Sequence, residues 1–393
     1  MKTESVIVSF GRTPIGSFQG GLSSISAIEL AAIVIKSVVE KANLSPEEVN
    51  EVIMGNVLSA GLGQAPARQA AIHSGLPNSV ECMTINKVCG SGLKSVMLAD
   101  QAIRCKDAEI IIAGGMENMS QAPYYLLDVR NGMRLGHKNI IDSMIKDGLW
   151  DPYNDIHMGN CAEVLSKEQK ISRIDSDQFA LESYNRAIKA IKFDFFKDEI
   201  VPVEIYKNKN LIKTINEDEE PGRGQLDKFS NLKTVFKQDG TVTAANASSL
   251  NDGAAALVLM SAEKAHDLNI KPICKIISQI SFAHEPLYFT TAPAKAITKI
   301  LKKNKLVIDD IDLFEINEAF SNVAIATMRE LKIPHGKINI HGGAVSLGHP
   351  IGASGARILV TLISALIQKR KKRGLATLCI GGGEAVALIV ELL

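Results

Sequence analysis

Four short stretches carry side chains suited to nucleophilic chemistry. Asn86-Lys87-Val88-Cys89-Gly90-Ser91-Gly92 sets a cysteine after a polar turn and directly before an apolar helical pattern, with glycines that let a substrate approach the backbone. The free N–H groups and partial positive charge of a helix N-terminus lower a thiol's pKa and hold a developing oxyanion. A lone cysteine at a tight turn is more often a small buried side chain, so Cys89 needs a partner before it reads as a nucleophile. His349 offers one. It stands in the glycine-dense loop 342–352, fixed by Pro350, and this loop has neither a GxGxxG after a strand nor a Walker lysine, which excludes a nucleotide P-loop. Cysteine plus histidine is a nucleophile with its base. Cys379 opens Cys379-Ile380-Gly381-Gly382-Gly383 at the end of an apolar strand, where α/β folds form ligand crevices; a buried structural thiol is the equal alternative. Asn317, in Asn317-Glu318-Ala319-Phe320, follows a short strand over 312–316 and either orients a water or oxyanion or caps a helix.

These residues need elements to bring them together. Nearly continuous apolar runs at 6–10, 109–113, 254–260, 375–380 and 385–392 predict short strands covered on both faces. Helical patterns at 27–41, 93–104 and 356–368 lie between them, and the alternation predicts α/β layers. The chain also looks duplicated. Glu51-Val52-Ile53 resembles Phe314-Glu315-Ile316, and Ser91-Gly92 resembles Ser354-Gly355 at the same separation. Pseudo-twofold packing of the repeats brings the helix starts that bear Cys89 and His349 together. The last two strands of the second repeat are almost contiguous, whereas in the first they are parted by residues 119–247, which read as an inserted domain. The expected organisation is an N-terminal half (1–118 plus 248–270), the insertion (119–247) and a C-terminal half (271–393).

Composition narrows the function classes. The 393 residues carry 44 basic and 43 acidic side chains, a formal net charge of +1, which leaves no footprint for nucleic acid or an anionic membrane. Six scattered cysteines show no CxxC and no histidine at metal-ligand spacing, so neither a disulfide framework nor a metal site is expected, and a reducing cytoplasm suits them. The N-terminus lacks a signal-like apolar region, and no run approaches the length of a membrane span.

The four motifs, in this order and spacing, resemble the thiolase family over essentially the whole chain. Arg12-Thr13-Pro14, Asn246-Ala247-Ser248 and Asn251-Asp252-Gly253 are similar to it as well. The resemblance implies a duplicated thiolase-type fold with a layered αβαβα core and an inserted loop domain. It further implies acyltransfer by a ping-pong Claisen condensation of two acetyl-CoA to acetoacetyl-CoA and CoA, through acyl-Cys89. His349 would take the thiol proton and later stabilise the second thioester oxygen. Cys379 would abstract the α-proton, Asn317 would hold a water, and the N–H groups of Cys89 and Gly381 would form an oxyanion hole.

His157-Met158-Gly159-Asn160 resembles the pantetheine loop of short-chain members, with Met158 limiting acyl length; packing alone is its bland alternative. Phe236 and Ser248 would touch the pantetheine arm, and Arg223 would reach a CoA phosphate. Phe282 to Pro286 with Val345-Ser346-Leu347 resembles potassium-activated members, yet Pro221 stands after Glu220 where those carry tyrosine. No metal or other cofactor is therefore expected, coenzyme A being a substrate. A homo-oligomer, a tetramer built as a dimer of dimers, is implied in the same way. The competing readings are a thiolase of broader chain length, a β-ketoacyl synthase, which Cys379 argues against, and a silent lipid-carrier module, which the retained Cys89 and His349 argue against.

Overall fold

Runs of Val, Ile, Leu and Ala with apolar residues at both parities form strands that need cover on both faces. In the computed structural model, which describes residues 3–393, nine such strands form one continuous path. In chain order they are β1 (Ser5–Arg12), β2 (Glu51–Gly55), β3 (Glu81–Ile85), β4 (Ile110–Asn118), β5 (Asn251–Ser261), β6 (Cys274–Ala283), β7 (Leu313–Ile316), β8 (Arg373–Ile380) and β9 (Glu384–Leu392). Their spatial order is β7-β8-β9-β6-β1-β5-β4-β2-β3, with Gly16–Ser17 added beside β5.

The seam between β1 and β6 is short, pairing Val6 with Lys275 and Ile7 with Cys274. Either side of it the pairing repeats. From β1 the ladder runs antiparallel to β5, antiparallel to β4 and then parallel to β2; from β6 it runs antiparallel to β9, antiparallel to β8 and then parallel to β7. The place of β3 is reduced in the second half to one parallel bridge between Phe314 and Ile338. The duplication read in the sequence is thus a duplication of topology.

Among the described residues, eight α-helices reach eight residues or more: α1 (Ala27–Lys41), α2 (Pro66–His73), α3 (Ser91–Cys105), α4 (Met158–Glu168), α5 (Arg173–Lys192), α6 (Ala292–Asn304), α7 (Ser321–Leu331) and α8 (Ile351–Lys369). Ser26 and Glu29 close a capping box that starts α1, where the apolar period begins. Alternate strand residues separate the cores. Val6, Val8, Ile110 and Ile112 pack under α1 and α2, whereas Ile7, Ile111 and Leu257 face α3 and α8 beside Leu378 and Leu388 of the other half. On the far side, Phe314, Leu375 and Ile389 pack under α6. The layers therefore run α, β, α, β, α.

The central layer corrects one expectation. By length and mean hydropathy α8 is apolar enough to cross a membrane, but 89% of its apolar window is buried between the two half-sheets. A helix that touches protein on every side is apolar all round, so composition alone does not separate the two cases. Where α3 and α8 cross, Gly92 faces Gly355. A Cβ on Gly92 would lie 2.7 Å from the Ala356 nitrogen, and one on Gly355 would strike the Leu93 backbone. These two glycines are repeat equivalents, and together they permit the close crossing that sets both helix starts side by side.

Between β4 and β5, neighbours in the sheet, the chain leaves at Asn118 and returns at Asn251, building α4, α5 and three two-stranded ribbons on the way. Arg12 ties this excursion down. Its Nε donates to Glu199 at 2.7 Å and its Nη1 and Nη2 to Asp218 at 2.6 and 2.8 Å, with all three side chains fully buried.

Candidate active site

Cys89 and His349 each stand two residues before a central helix, α3 and α8 respectively. The Cys89 turn is strained: Val88, a β-branched residue, has φ of 47°. Its neighbours hold it there. Val88 donates its N–H to Asn86 Oδ1 at 2.9 Å, while Ser91 Oγ accepts from the Lys87 N–H at 2.8 Å and donates to the Val88 carbonyl at 2.7 Å. A Cβ at Gly90 would collide with Ile380, so the turn packs directly on the end of β8. Burial pushes the Cys89 thiol up to about 11; the N–H groups of Gly381 and of Cys89 itself pull the other way, and the carboxylate of Glu117 adds to the rise. Both amides therefore address the sulfur where an oxyanion would form.

His349 is held from both sides. Its N–H donates to Asn251 Oδ1 at 2.8 Å, and its Nδ1 lies 2.5 Å from Ser354 Oγ. Ser354 gives its own proton to the Pro350 carbonyl at 2.9 Å. Its oxygen is then an acceptor, so Nδ1 carries the imidazole proton and Nε2 is left as a lone pair. That Nε2 is buried and has no hydrogen-bond partner. Burial, with the Arg357 cation adding to it, pushes the imidazole down to about 3, so it is a neutral base at physiological pH.

The remaining pair comes from the second half. Cys379 is fully buried, and burial followed by the nearby Cys89 holds its thiol well above the ordinary range. Two such thiols do not ionise together. Asn317 donates its backbone N–H to the Thr377 carbonyl at 3.0 Å, but neither atom of its buried side-chain amide has a partner. The capping alternative fails here, because α7 begins only at Ser321 with Phe320 before it. An unpaired buried amide is costly unless a water or ligand completes it.

A cavity of about 490 Å³ is lined by Cys89, His349 and Gly381 together with His157, Met158, Phe236 and Ser248, while Cys379 and Asn317 are buried and do not line it. Each wall has a local reason. His157 caps α4, its Nδ1 accepting the Gly159 N–H at 3.0 Å, and its ring stacks on Phe236 at 4.7 Å. Phe236 packs where any Cβ on Gly159 would sit. Met158 is 8% exposed, and a Cβ on Gly381 would lie 3.5 Å from its sulfur, so the thioether sits beside Gly381 in the chamber wall. Ser248 donates its hydroxyl to the Ala319 carbonyl at 2.9 Å.

Arg223 is the exception. It is exposed and lines a separate depression with Gly20 and Lys213, away from this cavity. The cause is its anchoring: Asp218 is bound to Arg12, and Glu219 accepts the N–H groups of Ser17 and Gly21, so the segment is tied to the β1 side of the sheet. Three residues outside the sequence expectation matter as much as those within it. Asn251 and Ser354 fix His349, and Glu117, fully buried, accepts from Asn56 Nδ2 and from the N–H groups of Val57, Leu58 and Gly352 at the start of α8. Ser354 is the repeat equivalent of Ser91, and both hydroxyls donate to a backbone carbonyl of the turn before their helix.

Comparison with known proteins agrees with this geometry. Residues 5–263 match the model of the thiolase N-terminal domain and residues 270–392 that of the thiolase C-terminal domain. An acetyl-CoA acetyltransferase of Cupriavidus necator is 52% identical, covering 99% of each chain, and one of Yarrowia lipolytica is 50% identical, covering 98% of this chain and 96% of that one. Among solved structures, the Acat5 thiolase of Ascaris suum in complex with coenzyme A superposes with a TM-score of 0.94 at 43% identity, covering 99% of this chain and all of that one. A duplicated αβαβα core whose two halves contribute the paired helix starts, together with these full-length likenesses, shows that the chain belongs to the thiolase family.

Proposed function

We propose that this chain is an acetyl-CoA C-acetyltransferase, condensing two acetyl-CoA to acetoacetyl-CoA and CoA, and reversing that reaction, through acetyl-Cys89. The observation that carries the reading is one apolar cavity lined by Cys89, Gly381 and His349, whose Nε2 lone pair is free, with the buried Cys379 thiol close enough to Cys89 to be raised by it. Proton balance gives the order of events. Cys89 Sγ attacks the thioester carbonyl and passes its proton to His349 Nε2, while the N–H groups of Cys89 and Gly381 hold the oxyanion. The departing CoA sulfur takes the proton of Cys379. This leaves acetyl-Cys89, an imidazolium and a Cys379 thiolate. The second acetyl-CoA then loses its α-proton to Cys379, and its enolate oxygen is held by the imidazolium and a water on Asn317. Attack on acetyl-Cys89 expels the Cys89 thiolate, which recovers its proton from His349.

The place of Met158 beside Gly381 supports a short acyl chain. Every proton in this course is given or taken by a side chain of the protein, so no metal or cofactor is required. The unpaired outer edge of β3, where Met83 is 44% exposed, and the exposed apolar side chains Tyr124, Leu135 and Ile140 support a homotetramer assembled as a dimer of dimers. Free cysteines support a cytoplasmic location. The stretch from Asn118 to Asn251 supports division into two thiolase halves and one inserted domain.

Intact-mass spectrometry tests the assignment. Mixed with acetyl-CoA, whose CoA thiolate can depart without Cys379, the parent chain and Cys379→Ala should gain one acetyl group and Cys89→Ala none, with Cys379→Ala unable to condense. An acetyl adduct on Cys89→Ala would sink the reading.

A further inference from the structure

A second cavity, of about 630 Å³, lies between α5, the 336–341 loop and the C-terminal end of α8, and shares no lining residue with the acyl cavity. Arg186, Lys189, Lys369 and Lys371 line it against the single carboxylate of Glu182. In a chain whose net charge is +1, that is a strong local excess of positive charge. Favourable placement at helix C-termini accounts for lysines in those turns, but not for their convergence on one concavity with a buried histidine.

The wall is built rather than fluid. Arg186 Nε donates to Glu182 at 2.7 Å and its Nη1 to the Ile338 carbonyl at 2.7 Å, which fixes the guanidinium. Lys369 Nζ stands 5.2 Å over the Phe195 ring, and that ring packs 4.9 Å from His341. His341 is 3% exposed, and its Nε2 has no hydrogen-bond partner; the side-chain oxygen of neighbouring Gln368 is unpaired as well. Burial, with Lys369 adding to it, the Gln368 side chain opposing it and Arg186 adding further, pushes His341 down to about 4, so the ring is neutral. Cations gathered on one concave wall around a neutral ring suit an anion of several charges better than a carboxylate or a neutral ligand.

We propose that this cavity binds a small, multiply charged phosphate, with Lys189, Lys369 and Lys371 neutralising its oxygens above the Arg186 and His341 wall. The site also abuts the catalytic half. Asn339, in the loop that lines it, accepts the Ile316 N–H at 2.8 Å and donates to Glu318 at 2.7 Å, on either side of Asn317. The inference goes beyond the proposed acyl transfer and does not depend on it.

Calorimetric titration of the full chain with inorganic pyrophosphate tests it, at about 100 mM salt where long-range attraction is screened. One saturable site per chain is expected, unchanged by saturating CoA and by alkylation of Cys89. In the K189Q/K369Q/K371Q variant, whose lysines are exposed, the melting temperature should hold while affinity falls at least about tenfold. Absence of saturable binding, equal affinity in the variant, or displacement of pyrophosphate by CoA would each overturn the proposal.

Discussion

At the scale of single residues, the chemistry depends on which ring nitrogen of His349 is free. Ser354 decides that by spending its own proton on Pro350. Ser354→Ala should lower kcat by about 10- to 100-fold, as loss of a partner that orients a functional histidine does elsewhere, while leaving KM and the far-UV spectrum little changed. Stopped-flow acylation would show the loss in the first half-reaction. The thiol makes a second prediction. With Cys89 pushed up to about 11 and His349 down to about 3, the resting pair is neutral across the physiological range. The rate of iodoacetamide inactivation should therefore rise about tenfold per pH unit from pH 7 to 9; a plateau below pH 8 would show a resting thiolate instead. On the proposed short-chain reading, Met158→Ala should raise turnover of longer 3-ketoacyl-CoA substrates relative to acetoacetyl-CoA, because it removes the thioether beside Gly381.

At the scale of elements, the site is a consequence of one helix crossing. α3 and α8 approach closely only because Gly92 and Gly355 meet, and the approach places Cys89 beside His349. Gly355→Ala puts a methyl group against the Leu93 backbone, where no rotamer relieves it. The expected cost is about 1–3 kcal/mol of stability, read by urea denaturation, with activity falling further than stability explains. Much of this level is legible in the chain itself. The strand runs, the helix patterns and the repeat of Ser91-Gly92 at Ser354-Gly355 all stand where the elements stand, because period and capping are local properties. The apolarity of α8 is different. A central helix and a membrane helix have the same composition, and only the sheets packed on both sides distinguish them.

For the whole molecule, buried charge sets how stability responds to pH. Burial raises Glu117 to about 7 and Glu315 to about 8, from 4.5, so the folded chain holds protons that the unfolded chain releases. Their contribution falls as pH rises through that window. His349 and His341 have the opposite sign: kept neutral when folded, they favour folding increasingly as pH rises toward 6.5. Above pH 6.5 the carboxyl effect remains, and the buried thiols of Cys89, Cys274 and Cys379, held above the ordinary range, add to it in the same direction as pH nears 9. Thermal unfolding should therefore come at a lower temperature at pH 8.5 than at pH 6.5, and Glu315→Gln should shrink the difference. The Arg12 anchor acts at the same scale. Arg12→Ala leaves Glu199 and Asp218 buried without their cation, with an expected loss of about 3–5 kcal/mol, measurable by denaturant titration.

What the sequence by itself determined was local and repetitive: two cysteines and a histidine at glycine-rich turns, each beside its strand or helix, in two copies of one unit. The places of Cys89, His349, Cys379 and Asn317 beside their elements were legible because turn chemistry and chain order mark them. The tertiary structure decided everything that depends on distance. It gave Asn317 an unpaired buried amide rather than a capping role, set the imidazole tautomer through Ser354, and placed Glu117 behind the pair. It also kept Arg223 away from the acyl cavity, because Asp218 and Glu219 bind that segment to the N-terminal strand. Such contacts join residues about 200 positions apart in the chain, and no local pattern encodes which distant partner a buried charge will find.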